Sequence, residues 1–192
     1  MIAKLFLRSR GKMLLIKQLF TRYTLMLLVL FGFNLGVANS SEINVVDIQQ
    51  QGIKYLNNPS ANIFSSGQPS EQQLKNLSKL GVLHVINLRP KQEQQWDEGA
   101  YVEALGLQYY NLPVNGAHGI TLSNAIQLAA TLEKIGDEPV LVHCSSSNRV
   151  GALVALNAFH QGEGIERAIA KGKAWGLTRL EALTRAKFLA LP

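Results

Sequence analysis

Only one of the 192 residues is cysteine, Cys144. No internal disulfide can form, so the fold must rest on an apolar core, and the thiol is either free or shared between chains. Acidic residues are missing from the first 41 positions, where Lys4, Arg8, Arg10, Lys12, Lys17 and Arg22 supply all the charge. The net charge of +6 is therefore an N-terminal property. Without those six, 13 basic residues face 13 acidic ones. That balance removes the basic footprint of a polyanion binder, so no nucleic-acid partner is expected. The chain also lacks an apolar run of the roughly 18 to 20 residues that a spanning helix needs. No grouping of His, Cys, Asp and Glu has metal-ligand spacing, so neither a metal nor another cofactor is expected. No internal repeat, low-complexity tract or inter-domain linker is present.

What the N-terminus does contain is a basic region, then the apolar "TLMLLVLFGFNLGVA" from Thr24 to Ala38, then the small polar "NSSE". Residues 1–40 read as a signal peptide, with cleavage after Ala38 or Ser40, or alternatively as an N-terminal anchor with "LLIKQLF" lying along the membrane surface. Met13 is a second candidate start. Residues 41–192 then form one domain outside the cytoplasm, most simply in a bacterial periplasm. Membrane contact is transient, through the N-terminal segment.

Within that domain "VDIQQQGIKYLNNPSANIF" suggests one or two short strands around an Asn-Asn-Pro-Ser turn. In "SGQPSEQQLKNLSKLG", Ser70 and Gln73 fit a capping box, Leu74, Leu77 and Leu80 form an apolar stripe, and Gly81 fits the stop of a helix. "VLHVINL" follows as a strand of β-branched residues. "QQWDEGAYVEAL" predicts a helix and "LQYYNLPV" a strand. Leu122, Ala125, Ile126, Ala129 and Leu132 recur at helical spacing. "PVLVHC" is the next strand, "VGALVALNAFH" a helix apolar nearly all round, and two further helical stretches end the chain. The alternation predicts an α/β fold: a mostly parallel central sheet flanked by helices on both faces. Sites in such folds lie beyond the carboxyl ends of the strands, where Cys144 falls.

A strand end followed by short polar residues and a helix places the N–H groups of Ser145, Ser146, Ser147, Asn148, Arg149 and Val150 around one point, with the positive helix end behind them. Such an anion cradle favours a thiolate at Cys144. Arg149 adds a guanidinium that can grip two oxygens of an anion. His143 suits orientation of the strand end. Arg89 divides between capping its strand and charging the pocket. Gly67, Gln68 and Pro69 read as a structural turn, His84 and His160 as packing or surface groups, and Trp96 and Trp175 as core or lid aromatics.

At these residues the chain resembles the cysteine-dependent phosphatases. More closely it resembles the bacterial tyrosine-phosphatase-like family related to β-lactamase-hydrolase-like domains. The matching segments are "SGQPS" (66–70), "VINLRP" (85–90), Glu93, "NLPV" (111–114) and "VHCSSSNRVGAL" (142–153). The resemblance implies a dual-specificity-phosphatase-like fold, Cys144 as nucleophile and Arg149 as phosphate clamp. Three positions depart from the wider phosphatase pattern. Four residues, not five, separate Cys144 from Arg149; Val150 replaces a hydroxyl residue; and "NLPVNGAHGIT" has no carboxylate where a general acid is expected. His118 has the location for that role and Glu93 the family match, with Asp97 and Glu98 as further candidates.

The expectation is thus a metal-independent hydrolase of phosphate monoesters on a small molecule or phosphoprotein, working through a thiophosphoryl intermediate. Two alternatives stay open: a rhodanese-type sulfurtransferase, whose loop has the four-residue spacing, and a catalytically inactive anion- or partner-binding module.

Overall fold

The computed structural model describes residues 43–190, so the expected targeting segment at 1–40 lies outside the described residues. Helix α1 (Val45–Gln49) leads into a hairpin of β1 (Asn57–Ser60) and β2 (Ile63–Ser66). Then α2 (Glu71–Lys79), β3 (His84–Asn87), α3 (Glu98–Ala104) and β4 (Gln108–Asn111) alternate. A single 3-10 turn, Lys91–Glu93, stands between β3 and α3. The chain continues through α4 (Leu122–Ile135), β5 (Val140–His143), α5 (Asn148–His160), α6 (Ile165–Ala174) and α7 (Glu181–Leu189). The sheet order is β1-β2-β5-β3-β4, parallel except for the β1–β2 edge pair.

Strand β5 is central and wholly buried. Successive side chains point to opposite faces, and each face has its own core. Val140 and Val142 join Ile86 and residues of α4 and α5 on one side, while Leu141 joins Phe64, Val85, Leu74 and Leu77 on the other. Helices therefore cover both faces, as the alternating pattern requires.

Parallel register brings Ser66, His143, Asn87 and Asn111 level across four neighbouring strands. The segments that leave these strands, beginning at Gly67, Cys144, Leu88 and Leu112, emerge along one edge of the sheet. Four motifs spread over 88 positions of sequence converge for this reason.

Three expectations change. The Asn-Asn-Pro-Ser stretch is strand β1, not a turn, and the hairpin turns at Ala61 and Asn62. Pro59 is tolerated because β1 is an edge strand, where its missing N–H breaks no ladder. "VVDIQ" (45–49) is helical, capped by the Asn44 side chain accepting from Val46 N–H. The central helix begins at Asn148, two residues before "VGALVAL", and so draws Arg149 into its first turn. Its close seat against α6 depends on Gly151: a Cβ there would lie 2.3 Å from Leu177 N and 2.4 Å from Gly172 O.

Candidate functional site

Cys144 follows the last residue of β5, and its N–H donates to Ser66 O at 3.3 Å. Its sulfur belongs to the buried core, with the residue only 1% exposed. The thiol therefore lies at the floor of the loop rather than at an open mouth. Ser147 then takes a left-handed conformation, φ 62°, and turns the chain into α5. For a non-glycine residue this costs roughly 1–2 kcal/mol. It is offset by a hydrogen bond from Ser147 Oγ to Trp175 O at 2.9 Å.

The first hydrogen bond of α5 runs from Gly151 N–H to Ser147 O, and no side chain caps the helix. The N–H groups of Asn148, Arg149 and Val150 are consequently the open donors of a helix start. Val150 is fully buried and brings no hydroxyl. Ser146 sits beside Gly67 in an isolated bridge. A Cβ at Gly67 would approach both Lys54 O and Ser145 O at 3.0 Å, so glycine is what lets the two loops meet.

Arg149 is 6% exposed and fully engaged at its terminal nitrogens. Nη1 donates to Glu93 Oε1 at 3.0 Å and to Val114 O at 2.7 Å; Nη2 donates to Glu93 Oε2 at 2.7 Å and to Ser145 Oγ at 2.9 Å. Burial works against the charge, but the Glu93 hydrogen bonds, the Cys144 sulfur and the Glu93 charge outweigh it and raise the guanidinium's pKa. Glu93 is thus a bidentate partner that fixes the plane of Arg149.

Behind Glu93 the polar contacts continue. Arg89 donates from Nη2 to Glu93 O and from Nη1 to Gln68 Oε1. Gln68 Nε2 donates to Glu98 Oε2 at 2.6 Å, and Glu98 Oε1 meets His143 Nε2 at 2.6 Å. Both members of this last pair are buried. Burial pushes the Glu98 carboxyl up, but the His143 hydrogen bond and charge, the Gln68 amide and the Arg89 charge together hold it below its ordinary 4.5. A continuous set of side chains therefore links His143, directly before the cysteine, to Arg149, directly after the loop. Gln68 thus adds a side chain to this network from its turn, and Arg89 belongs to the site's support.

Over the loop that follows Cys144 lies an open cavity of about 300 Å3, whose lining includes Glu93, Ser145, Ser146, Asn148 and Arg149 but not Cys144 itself. The opposite loop contributes Gly116 and Ala117. His118 is exposed on the same turn and is not among the residues that line this cavity. Asp97 is also turned elsewhere, capping α3 by accepting from Ala100 N–H. The Asn148 side chain does not face the cavity as a ligand group either: its Oδ1 accepts from Thr178 N–H at 3.0 Å and Leu180 N–H at 3.3 Å. Trp96 packs edge-on against Tyr101, and Trp175 packs against the core. His84 pairs with Glu138 at the opposite end of its strand.

This geometry agrees with what comparison finds. Residues 36–187 match the family described as "DSP-PTPase phosphatase fused to NAD+ Kinase", and the chain belongs to that family. Among solved structures it is similar to a candidate phosphatase (DUF442) from Shewanella putrefaciens CN-32, with a TM-score of 0.59 and 25% identity over 77% of this chain and 97% of that one. It is also similar to the core catalytic domain of the PP-IP phosphatase SIW14 from S. cerevisiae, with a TM-score of 0.58 and 14% identity over 73% and 86% of the two chains. A search of curated proteins found no match. The fold is that of the cysteine-based phosphatases, and the chain is a hydrolase of that class acting on a phosphorylated substrate.

Proposed function

We propose that the chain hydrolyses phosphate monoesters through a phosphocysteine at Cys144, with aryl esters as its best substrates. The observation that carries this reading is the Cys144 sulfur buried at the base of an uncapped helix start with Arg149 beside it. The thiolate attacks phosphorus, a sulfur–phosphorus bond forms, and the ester oxygen leaves with its electron pair. Water then attacks phosphorus, restoring the thiolate and releasing orthophosphate. The N–H groups from Ser145 to Val150 hold the phosphoryl oxygens through both steps, and the Arg149 guanidinium joins them by giving up its hydrogen bond to Ser145 Oγ.

Glu93 serves as a positioning residue, since both its oxygens are turned to Arg149. No carboxylic acid is then free over the leaving group among the described lining residues. Esters whose oxygen departs readily without a proton suffer least, because a positioned general acid supplies about 10²- to 10⁴-fold. Purified protein is expected to hydrolyse p-nitrophenyl phosphate without added metal, and Cys144→Ser to lose that activity. Unaltered turnover in that variant would falsify the reading. The same preparation, given thiosulfate and cyanide, tests sulfur transfer: thiocyanate formation dependent on Cys144 would replace phosphatase chemistry with the sulfurtransferase alternative.

We further propose that residues 1–40 direct residues 41–192 out of the cytoplasm, to a periplasm or to the outer face of an inner membrane. The support is the order of basic, apolar and small-polar segments in the sequence. N-terminal sequencing of protein from the periplasmic and membrane fractions distinguishes a cleaved signal from a retained anchor.

A further inference from the structure

The cavity over the loop that follows Cys144 carries a second arginine. Arg179 lies in the connection between α6 and α7 and lines the cavity together with Arg149 and Glu93. It is exposed, and among the described residues no carboxylate pairs with it, whereas Lys171, Lys173 and Arg185 are all paired. Because Glu93 already balances Arg149, Arg179 is the uncompensated charge of the lining.

Its placement is fixed from within the cysteine loop. Asn148 Oδ1 accepts the N–H groups of Thr178 and Leu180, the residues on either side of Arg179. One carboxamide in the first turn of α5 thus registers the Arg179 backbone against the phosphate cradle. Ser147 Oγ and Ser65 Oγ both donate to Trp175 O and hold the start of the same connection. An exposed side chain on so well anchored a backbone is a built feature of the cavity rim.

Resting on the phosphatase reading above, we propose that Arg179 binds a second phosphate of the substrate, so that the preferred substrate is a small bisphosphorylated molecule. The cradle and Arg149 hold the phosphate that reacts; Arg179 holds the one that does not. A cavity of about 300 Å3 lies at the small end of the range for pockets that take small molecules. A lone anion would leave the rim charge without a partner.

The test is calorimetric, on the full-length chain at about physiological ionic strength, with orthophosphate and methylenebisphosphonate as probes. The wild type is expected to bind the bisphosphonate more tightly, and Arg179→Ala to cut that preference about fivefold, the range of a partly exposed charge pair. Arg179→Lys keeps part of the preference. Arg167→Ala, which removes an exposed charge outside the cavity lining, keeps all of it. The proposal is overturned if the wild type binds orthophosphate but shows no preference, if the preference survives Arg179→Ala, or if Arg167→Ala reduces it equally. Binding of neither probe would instead defeat the phosphatase reading on which the proposal rests, and the proposal with it.

Discussion

On one side of the cavity, Arg89, Glu93 and Glu98 are held in a partly buried run of hydrogen bonds that reaches both ends of the cysteine loop. On the other side, the turn from Gly116 to Gly119 offers backbone to the cavity and an exposed imidazole that makes no hydrogen bond among the described residues. The two sides divide the labour of phosphoryl transfer. Groups that hold charge are fixed before substrate arrives, which is where most electrostatic catalysis originates. Among the described residues that line the cavity, no side chain is comparably fixed for delivering a proton.

Removing Glu93 should disturb the first side most. Glu93→Gln leaves the buried Arg149 cation with a neutral partner. The expected loss is about 2 kcal/mol, less than the roughly 3–5 kcal/mol for a fully buried pair, because the Glu93 side chain is 31% exposed. Inorganic phosphate supplies a replacement anion. Thermal melts should therefore show a larger phosphate-induced rise in Tm for the variant than for the wild type. Equal rises would mean that Glu93 does not balance Arg149.

A smaller effect is expected at the far end of the network. The folded Glu98 carboxyl lies below its ordinary 4.5, so its ionised form stabilises the fold above that pH. The contribution is lost as pH falls below 4.5 through the folded value. Glu98→Gln should be less stable at neutral pH by about 1 kcal/mol, since the amide keeps part of the hydrogen bonding. Denaturant titrations across pH 3 to about 7 should then show a shallower acid limb for the variant. A limb as steep as the wild type's would remove Glu98 from the supporting network.

The least effect is expected on the second side. His118→Ala should change kcat/KM for p-nitrophenyl phosphate by less than about twofold, since a positioned acid would cost at least about 10²-fold. A loss of that size, with a changed pH profile, would show that the imidazole reaches the leaving group and that the two sides are less unequal than their structures suggest.

These sides also differ in how readable they were. Local signals wrote themselves plainly: the Ser70–Gln73 capping box forms in both directions, and β5 ends where the β-branched run gives way to Cys144. Arg149 and Glu93 are each singled out in the sequence, but their pairing is not legible there, because 56 positions separate them. Gln68, Arg89 and Glu98 carry no periodic or spacing signal at all. Glu98 in particular reads as a favourable first-turn acid on a solvated helix, yet it is 1% exposed and paired with a histidine 45 positions later. That pair forms where the start of α3 packs over the end of β5, a juxtaposition that depends on the whole fold. Asn-Asn-Pro-Ser misleads for the same reason: its composition suits a turn, and its place at the sheet edge makes it a strand.

One carboxamide oxygen, on Asn148, accepts two backbone N–H groups from a segment 30 and 32 positions downstream. A fifth residue inserted between Cys144 and Arg149 would rotate Asn148 out of reach and release both. The short loop and the stretch after α6 are therefore mutually dependent, and descendants of this chain that lengthen one must rebuild the other in the same step.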